Sequence, residues 1–277
     1  MNRAVVDNPG RDVVAGLSWA LAAMLLAFFI NAFPAWSALS QQLGKQAALL
    51  PFGLLGLILL PLALLAWRRR PWGWRCILAG ILCAGLGLLA TDPAFPAKRI
   101  HVAEYAVLAL VLRRALAPWL KGWSLTLAAA LFGLLAGLHD EMVQGLLPSR
   151  SFGLRDIGVD GLGALAGSLL GHGLRLAPGA ASAAALRWRD LPPASWALGL
   201  LPLGLGVALL AWPLERLAGS AIPLWTVSPL LAGCALLLAQ PPVSDPGWRR
   251  LLLILLLFTA PLALYPLLSH VPPLVFR

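Results

Sequence analysis

Residues Trp123 to Gln144 read WSLTLAAALFGLLAGLHDEMVQ, an apolar run that ends abruptly in His139, Asp140, Glu141 and Gln144. A helix of roughly 20 mostly apolar residues crosses the hydrocarbon core of a bilayer. The stretch therefore predicts a spanning helix with a polar end. Ionisable groups at the edge of a bilayer are costly to bury, and several together mark a functional site by default.

The rest of the 277 residues supports that reading, with 60% hydrophobic and 12% charged residues against about 25% charged in a soluble domain. Comparable runs occur near Ala15 to Phe33, Gln46 to Trp67, Trp74 to Ala90, Ile100 to Leu112, Asp156 to Leu174, Ser195 to Trp212, Ala221 to Gln240 and Leu251 to His270. The expected fold is all-α, a polytopic transmembrane helical bundle of about nine spanning helices. The first run is too long for the core of a cleaved signal peptide and reads as a retained anchor. Cys76, Cys83 and Cys234 lack metal or redox spacing and read as packing residues.

The net charge of +10 would suggest nucleic acid in a soluble protein. Its distribution argues otherwise, because short basic loops stay on the cytoplasmic side. With the N-terminus inside, fourteen of the 21 Lys and Arg fall on cytoplasmic segments and seven on outer ones. They are scattered, with no aromatic-interleaved groove for a nucleic-acid backbone. The expected setting is a bacterial cytoplasmic membrane, with a cytoplasmic N-terminus and membrane lipids as partners, and without nucleic acid. Residues 1–74 form N-terminal transmembrane helices, 75–176 a core, 177–194 a cytoplasmic linker and 195–277 C-terminal transmembrane helices.

Two further polar groups face the same outer side. After Pro93 and Pro96, Lys98, His101 and Tyr105 follow at helical spacing, with Glu104 one turn into the helix; positions three and four apart share a face. Asp140 and Gln144 also share a face, while Glu141 is rotated by about 100° and points either to the site or to water. Beyond the loop with Pro148, Arg150 and Arg155, Asp156 suits the positive end of a helix dipole and is a candidate cap. Asp160 lies one turn deeper and is no cap. Below it Gly163, Gly167 and Gly171 form a small-residue ridge that admits another backbone closely.

The pattern Lys98-x-x-His101-x-x-x-Tyr105, Asp140-Glu141-x-x-Gln144-x-x-x-Pro148-x-Arg150 and Asp156-x-x-x-Asp160-x-x-Gly163-x-x-x-Gly167 resembles the VanZ-like membrane proteins across roughly residues 75 to 175. The chain departs from that family at Ala97, where an acid is common, at Ser149, where glycine is common, and at Asp160, where asparagine is usual. The resemblance implies a cell-envelope protein, and its namesake is associated with resistance to the glycopeptide teicoplanin.

Three functions compete for these residues. In the first, Lys98, Arg99, Arg150 and Arg155 hold the phosphate or carboxylate of a lipid or lipid-linked cell-wall precursor, with Glu104, Asp140 and Asp156 orienting the bases; an interhelical lock made of the same residues is its structural counterpart. In the second, a membrane enzyme acts on a lipid phosphate, with His101 and Glu104, Asp140 or Glu141 as acid and base, or with His101, His139 and a carboxylate on a metal. No HExxH, nucleophile elbow or paired metal-ligand spacing occurs. The expectation is therefore a non-enzymatic protein with no cofactor and no metal. The third is a proton-coupled transporter using Asp160, although the chain lacks the repeated broken helices typical of transporters.

Overall fold

The computed structural model describes residues 9–44, 73–148, 150–177, 193–217, 219–240, 246–272, 274 and 276–277, with isolated positions between 46 and 68. Among these residues the chain is helical, without strands. In order come α1 (Pro9–Leu43), α2 (Trp74–Ala90), α3 (Ile100–Leu116), α4 (Gly122–Leu146), α5 (Leu154–Gly173), α6 (Leu201–Ala211), α7 (Ser228–Leu238) and α8 (Pro246–Thr259).

Among the described residues four stretches are long and apolar enough to cross a membrane: Val13–Asn31, Gly122–Leu146, Ala197–Leu217 and Trp248–Leu268. The other expected spans are less clear-cut. α2 and Leu224–Leu238 are apolar but short, α3 has 17 residues, and α5 carries two buried acids. Most of the run at 46–67, and residues 178–192 of the expected linker, lie outside the described residues. The four spans differ in environment: 61% of the apolar window in Gly122–Leu146 is buried, against 22 to 28% in the others. α4 is thus an interior post, and the others turn much of their surface to lipid.

α5 is the element against which the core assembles, packing on α2, α3 and α4. Its glycine ridge lies against α3, where a Cβ at Gly163 would stand 2.8 Å from the Val102 carbonyl oxygen and one at Gly167 would collide with the Ala106 backbone. At Gly171 a Cβ would meet the Arg113 and Leu110 side chains. Gly80 of α2 approaches Leu170 and Ala166 in the same manner, and Gly133 of α4 approaches Ala164. Without a hydrophobic driving force between helices in lipid, such close contact supplies the van der Waals attraction that holds the bundle. α5 ends with the Leu176 amide donating to the Gly171 carbonyl at 2.8 Å and Arg175 at φ 54°, the six-to-one closure that terminates many helices.

α1 is longer than a membrane requires. Its 35 residues extend to about 50 Å at 1.5 Å per residue, and the part beyond Pro34 reaches the loop before α3. There the Trp36 indole donates to the Ala97 carbonyl at 2.6 Å.

The C-terminal helices share one apolar core with the preceding ones, running from Phe29 and Phe132 through Leu203 and Trp248 to Phe276. Phe258 packs edge-on to Phe132 at 5.1 Å. Residues 276–277 lie across the loop between α4 and α5: Phe152 N donates to Arg277 O, Arg277 N to Gly145 O and Gly219 N to Phe276 O, each at 2.7 Å. Phe276 is fully buried, and its ring sits against Gly145, where a side chain would collide with it.

Gly167→Val is expected to lower stability by about 1 to 3 kcal/mol, the usual cost of overpacking, because its obstacle is backbone. At Gly158, also on α5, an added methyl group would meet nothing within 4 Å; Gly158→Ala is expected to be neutral or to stabilise by up to about 1 kcal/mol through helix propensity. Thermal unfolding of the two variants in one detergent would compare them.

Candidate functional site

Three elements converge at one end of the core. A 3₁₀ turn, Pro96–Arg99, delivers Lys98 and runs directly into α3. α3 then presents His101 and Tyr105, both buried, on the face towards α4 and α5. α4 contributes Asp140, Glu141 and Gln144 from its last turns. α5 contributes Asp156 and Asp160 from its first turns.

The deep layer is buried and largely hydrogen-bonded. Tyr105 donates its hydroxyl to Asp140 Oδ2 at 3.0 Å, and Gln144 Nε2 donates to Asp140 Oδ1 at 2.8 Å. Both oxygens of Asp140 are therefore occupied. His101 Nδ1 lies 3.0 Å from Asp160 Oδ1. Asp140, Glu141 and Asp160 are at most 1% exposed. These contacts join α3 to α4 and to α5, so the layer also fastens the three helices.

Two acids have partners that sequence reasoning left open. Asp156 makes no side-chain cap on α5; it pairs instead with Lys98. The N-terminal amide of Gly153, just ahead of α5, is satisfied from the neighbouring helix, since it donates to Glu141 Oε2 at 2.9 Å. Glu141 therefore faces the site, where a carboxylate at a helix N-terminus meets a favourable dipole. Its other oxygen, Oε1, and Oδ2 of Asp160 are buried with no hydrogen-bond partner among the described residues.

Above this layer the groups are more accessible. Lys98, Arg99, Glu104 and Arg150 are half-buried, and Arg155 is exposed. Arg155 reaches back to the Ala90 carbonyl and, at 3.3 Å, to that of Thr91, tying the start of α5 to the end of α2. Burial lowers the Arg150 guanidinium's pKa from its ordinary value, against the pull of Asp140, Glu141, Asp156 and Glu104. The site is thus a basic rim over an acidic floor.

His139 lies elsewhere. Although it precedes Asp140, it points to the C-terminal helices, with Nδ1 at 3.0 Å from the Tyr265 hydroxyl and Nε2 at 2.6 Å from the Phe258 carbonyl. A metal centre shared by His101 and His139 is incompatible with that geometry. His139 is a connector between α4 and the C-terminal helices.

A second polar cluster, which the sequence pattern did not reveal, closes the opposite ends of α3, α4 and α5. Arg113, only 2% exposed, donates Nε to the Leu176 carbonyl at 2.8 Å and Nη1 to Thr126 Oγ1 at 3.0 Å. Thr126 Oγ1 lies 2.7 Å from His172 Nδ1, and the Ser168 hydroxyl donates to the Thr126 carbonyl at 2.5 Å. In the sequence Arg113 reads as one of a pair of topology-setting charges. The hint of its burial is Thr126, a polar residue near the start of the apolar run of α4.

Tyr105→Phe removes the donor to a fully buried carboxylate and is expected to cost about 1 to 3 kcal/mol. Glu104→Gln, half-buried at the rim, is expected to stay within about 0.5 kcal/mol. Denaturation midpoints for the two variants measure the difference. Searches against family models, curated proteins and solved structures find no match to this chain.

Proposed function

We propose that this protein is a multi-pass membrane protein of the VanZ-like type, with its N-terminus in the cytoplasm of a bacterial cell and its core spanning the cytoplasmic membrane. On this reading most of the nine apolar runs cross the bilayer, the shorter ones enclosed by their neighbours. At the outer face the core binds the anionic head group of a lipid or lipid-linked cell-wall precursor. The observation that carries this is the tiered charge: Lys98 keeps 22% of its side chain exposed, while its partner Asp156 keeps 9%, and Asp140 and Glu141 below are sealed. The bases are therefore the part of the site an incoming group meets first, and Arg150 supplies the fork geometry that suits phosphate.

An apolar slot beside the site supports an amphiphile over a free anion. It has a volume of about 640 Å³ and runs between α4, α5 and α6, with walls that include Leu127, Leu134, Leu201 and Val207. Leu154 and Ile157 of the first turns of α5 also line it, so one end of the slot adjoins the turn that carries Asp156. A head group at the rim and an acyl chain in the slot are served by the same stretch of helix.

A second reading, an enzyme acting on a lipid phosphate, draws on the buried His101 and Asp160 pair beneath the rim. Positioned acid and base groups near a bound phosphate ester are what such hydrolysis needs.

Lipid extracted from protein purified in mild detergent is expected to include an anionic species in near-stoichiometric amount by mass spectrometry. The Lys98→Ala/Arg150→Ala variant is expected to lose most of it, whereas Arg216→Ala, outside the site, retains it. Equal retention in all three would remove the head-group reading. Turnover of a panel of lipid-linked phosphates by the intact protein would favour the second reading, and teicoplanin susceptibility of cells overproducing the protein gives a cellular readout.

A further inference from the structure

The floor of the site carries a feature that head-group binding does not use. Asp160 and Glu141 are each completely buried, and each keeps one carboxylate oxygen without a hydrogen bond. A buried unpaired carboxylate oxygen costs several kcal/mol in a medium without water, and two in one place require a common explanation. Their positions supply it. Asp160 Oδ2 lies over Gly137, where a Cβ would come within 2.9 Å of it. Gly137 is one helical turn below Glu141, and residues four apart on a helix share a face. The two carboxylates therefore look into the same gap between α4 and α5.

His101 closes that gap from α3. One ring nitrogen of His101 and one carboxylate oxygen each of Glu141 and Asp160 lie within 4.8 Å of one another. Three donors around a single first-row metal ion at about 2.1 Å are spaced by about 3 to 3.5 Å, so small side-chain rotations bring them into range.

We propose that His101, Glu141 and Asp160 form a binding site for one divalent transition-metal ion of the zinc or manganese class. The donor set fits that class: one imidazole nitrogen favours zinc or iron over calcium and magnesium, and two carboxylates suit zinc and manganese better than the soft, thiolate-loving metals. Three protein ligands leave a position open, as sites that act on a bound group do. The ion would give both orphan oxygens a partner and offset the surplus of acids on the floor. The Gly153 amide on Glu141 Oε2 and the Tyr105 and Gln144 bonds to neighbouring Asp140 would hold the surroundings in place, the outer-shell support metal sites usually possess.

This site stands apart from the head-group reading, since it is made of different residues and is assayed without lipid. The full-length protein in detergent, stripped with EDTA and dialysed, is titrated with ZnCl₂ and separately with MnCl₂ by calorimetry, with thermal unfolding followed in parallel. The expected result is one equivalent of Zn²⁺ or Mn²⁺ bound and a raised unfolding temperature. The isosteric variants Asp160→Asn and Glu141→Gln are expected to lose at least tenfold in affinity, and Asp92→Asn, outside the cluster, to bind as the wild type. Should either isostere fail to fold, the stripped wild-type protein decides: saturable one-site binding with thermal stabilisation supports the site, and its absence overturns it. Binding that persists undiminished in folded Asp160→Asn or Glu141→Gln also overturns it.

Discussion

The contact on which this structure depends is the approach of α5 to α3 across Gly163 and Gly167. There is no room for a methyl group between those backbones, so the separation of the two helices is set by backbone contact. The polar groups at that end of the core are placed by this spacing. His101 and Tyr105 sit on the turns of α3 that the ridge engages, and Asp156 and Asp160 on the turns of α5 just above it. In lipid, where apolar side chains gain nothing by leaving one hydrocarbon environment for another, packing of this kind replaces the hydrophobic effect as the organiser of the fold.

The polar layer adds a second constraint, of opposite character. Packing between glycines is insensitive to direction along the seam, whereas a hydrogen bond between Tyr105 and Asp140 or His101 and Asp160 holds only in one register. Buried polar pairs are weak as sources of net stability but effective at excluding alternative arrangements. The inner cluster of Arg113, Thr126, Ser168 and His172 performs the same service at the other end of the same three helices. The core is thus pinned at both ends by polar contacts and held in the middle by contact of bare backbone.

Much of this was readable in the sequence because it rests on local spacing. The apolar runs announced a helical membrane protein, and the i, i+4 placement of His101 with Tyr105 and of Asp140 with Gln144 put those pairs on shared faces, where the structure has them. The glycine ridge was visible for the same reason. What spacing cannot convey is rotation about a helix axis relative to neighbours. Spacing leaves Glu141 free to face the site or water, and the Gly153 amide that donates to it decides between them; it leaves Asp156 as either a cap or a partner of the bases, and the pairing with Lys98 decides for the second. His139 shows the limit best, since its neighbours in sequence are site residues and its neighbours in space belong to helices more than a hundred residues away. Apolar length is the weaker guide: α3 and α5 count among the nine apolar runs, yet they are not among the four clear spans, and most of their surface is enclosed by other helices.

His139 and Asp140 are consecutive, yet one side chain binds the C-terminal helices through Tyr265 and Phe258 and the other belongs to the polar floor. A single turn of α4 is therefore a party wall with a different tenant on each side. Any change that rotates or lifts this turn to suit the C-terminal helices also displaces Asp140 and the bonds it accepts. The two halves of the molecule are mechanically coupled through it.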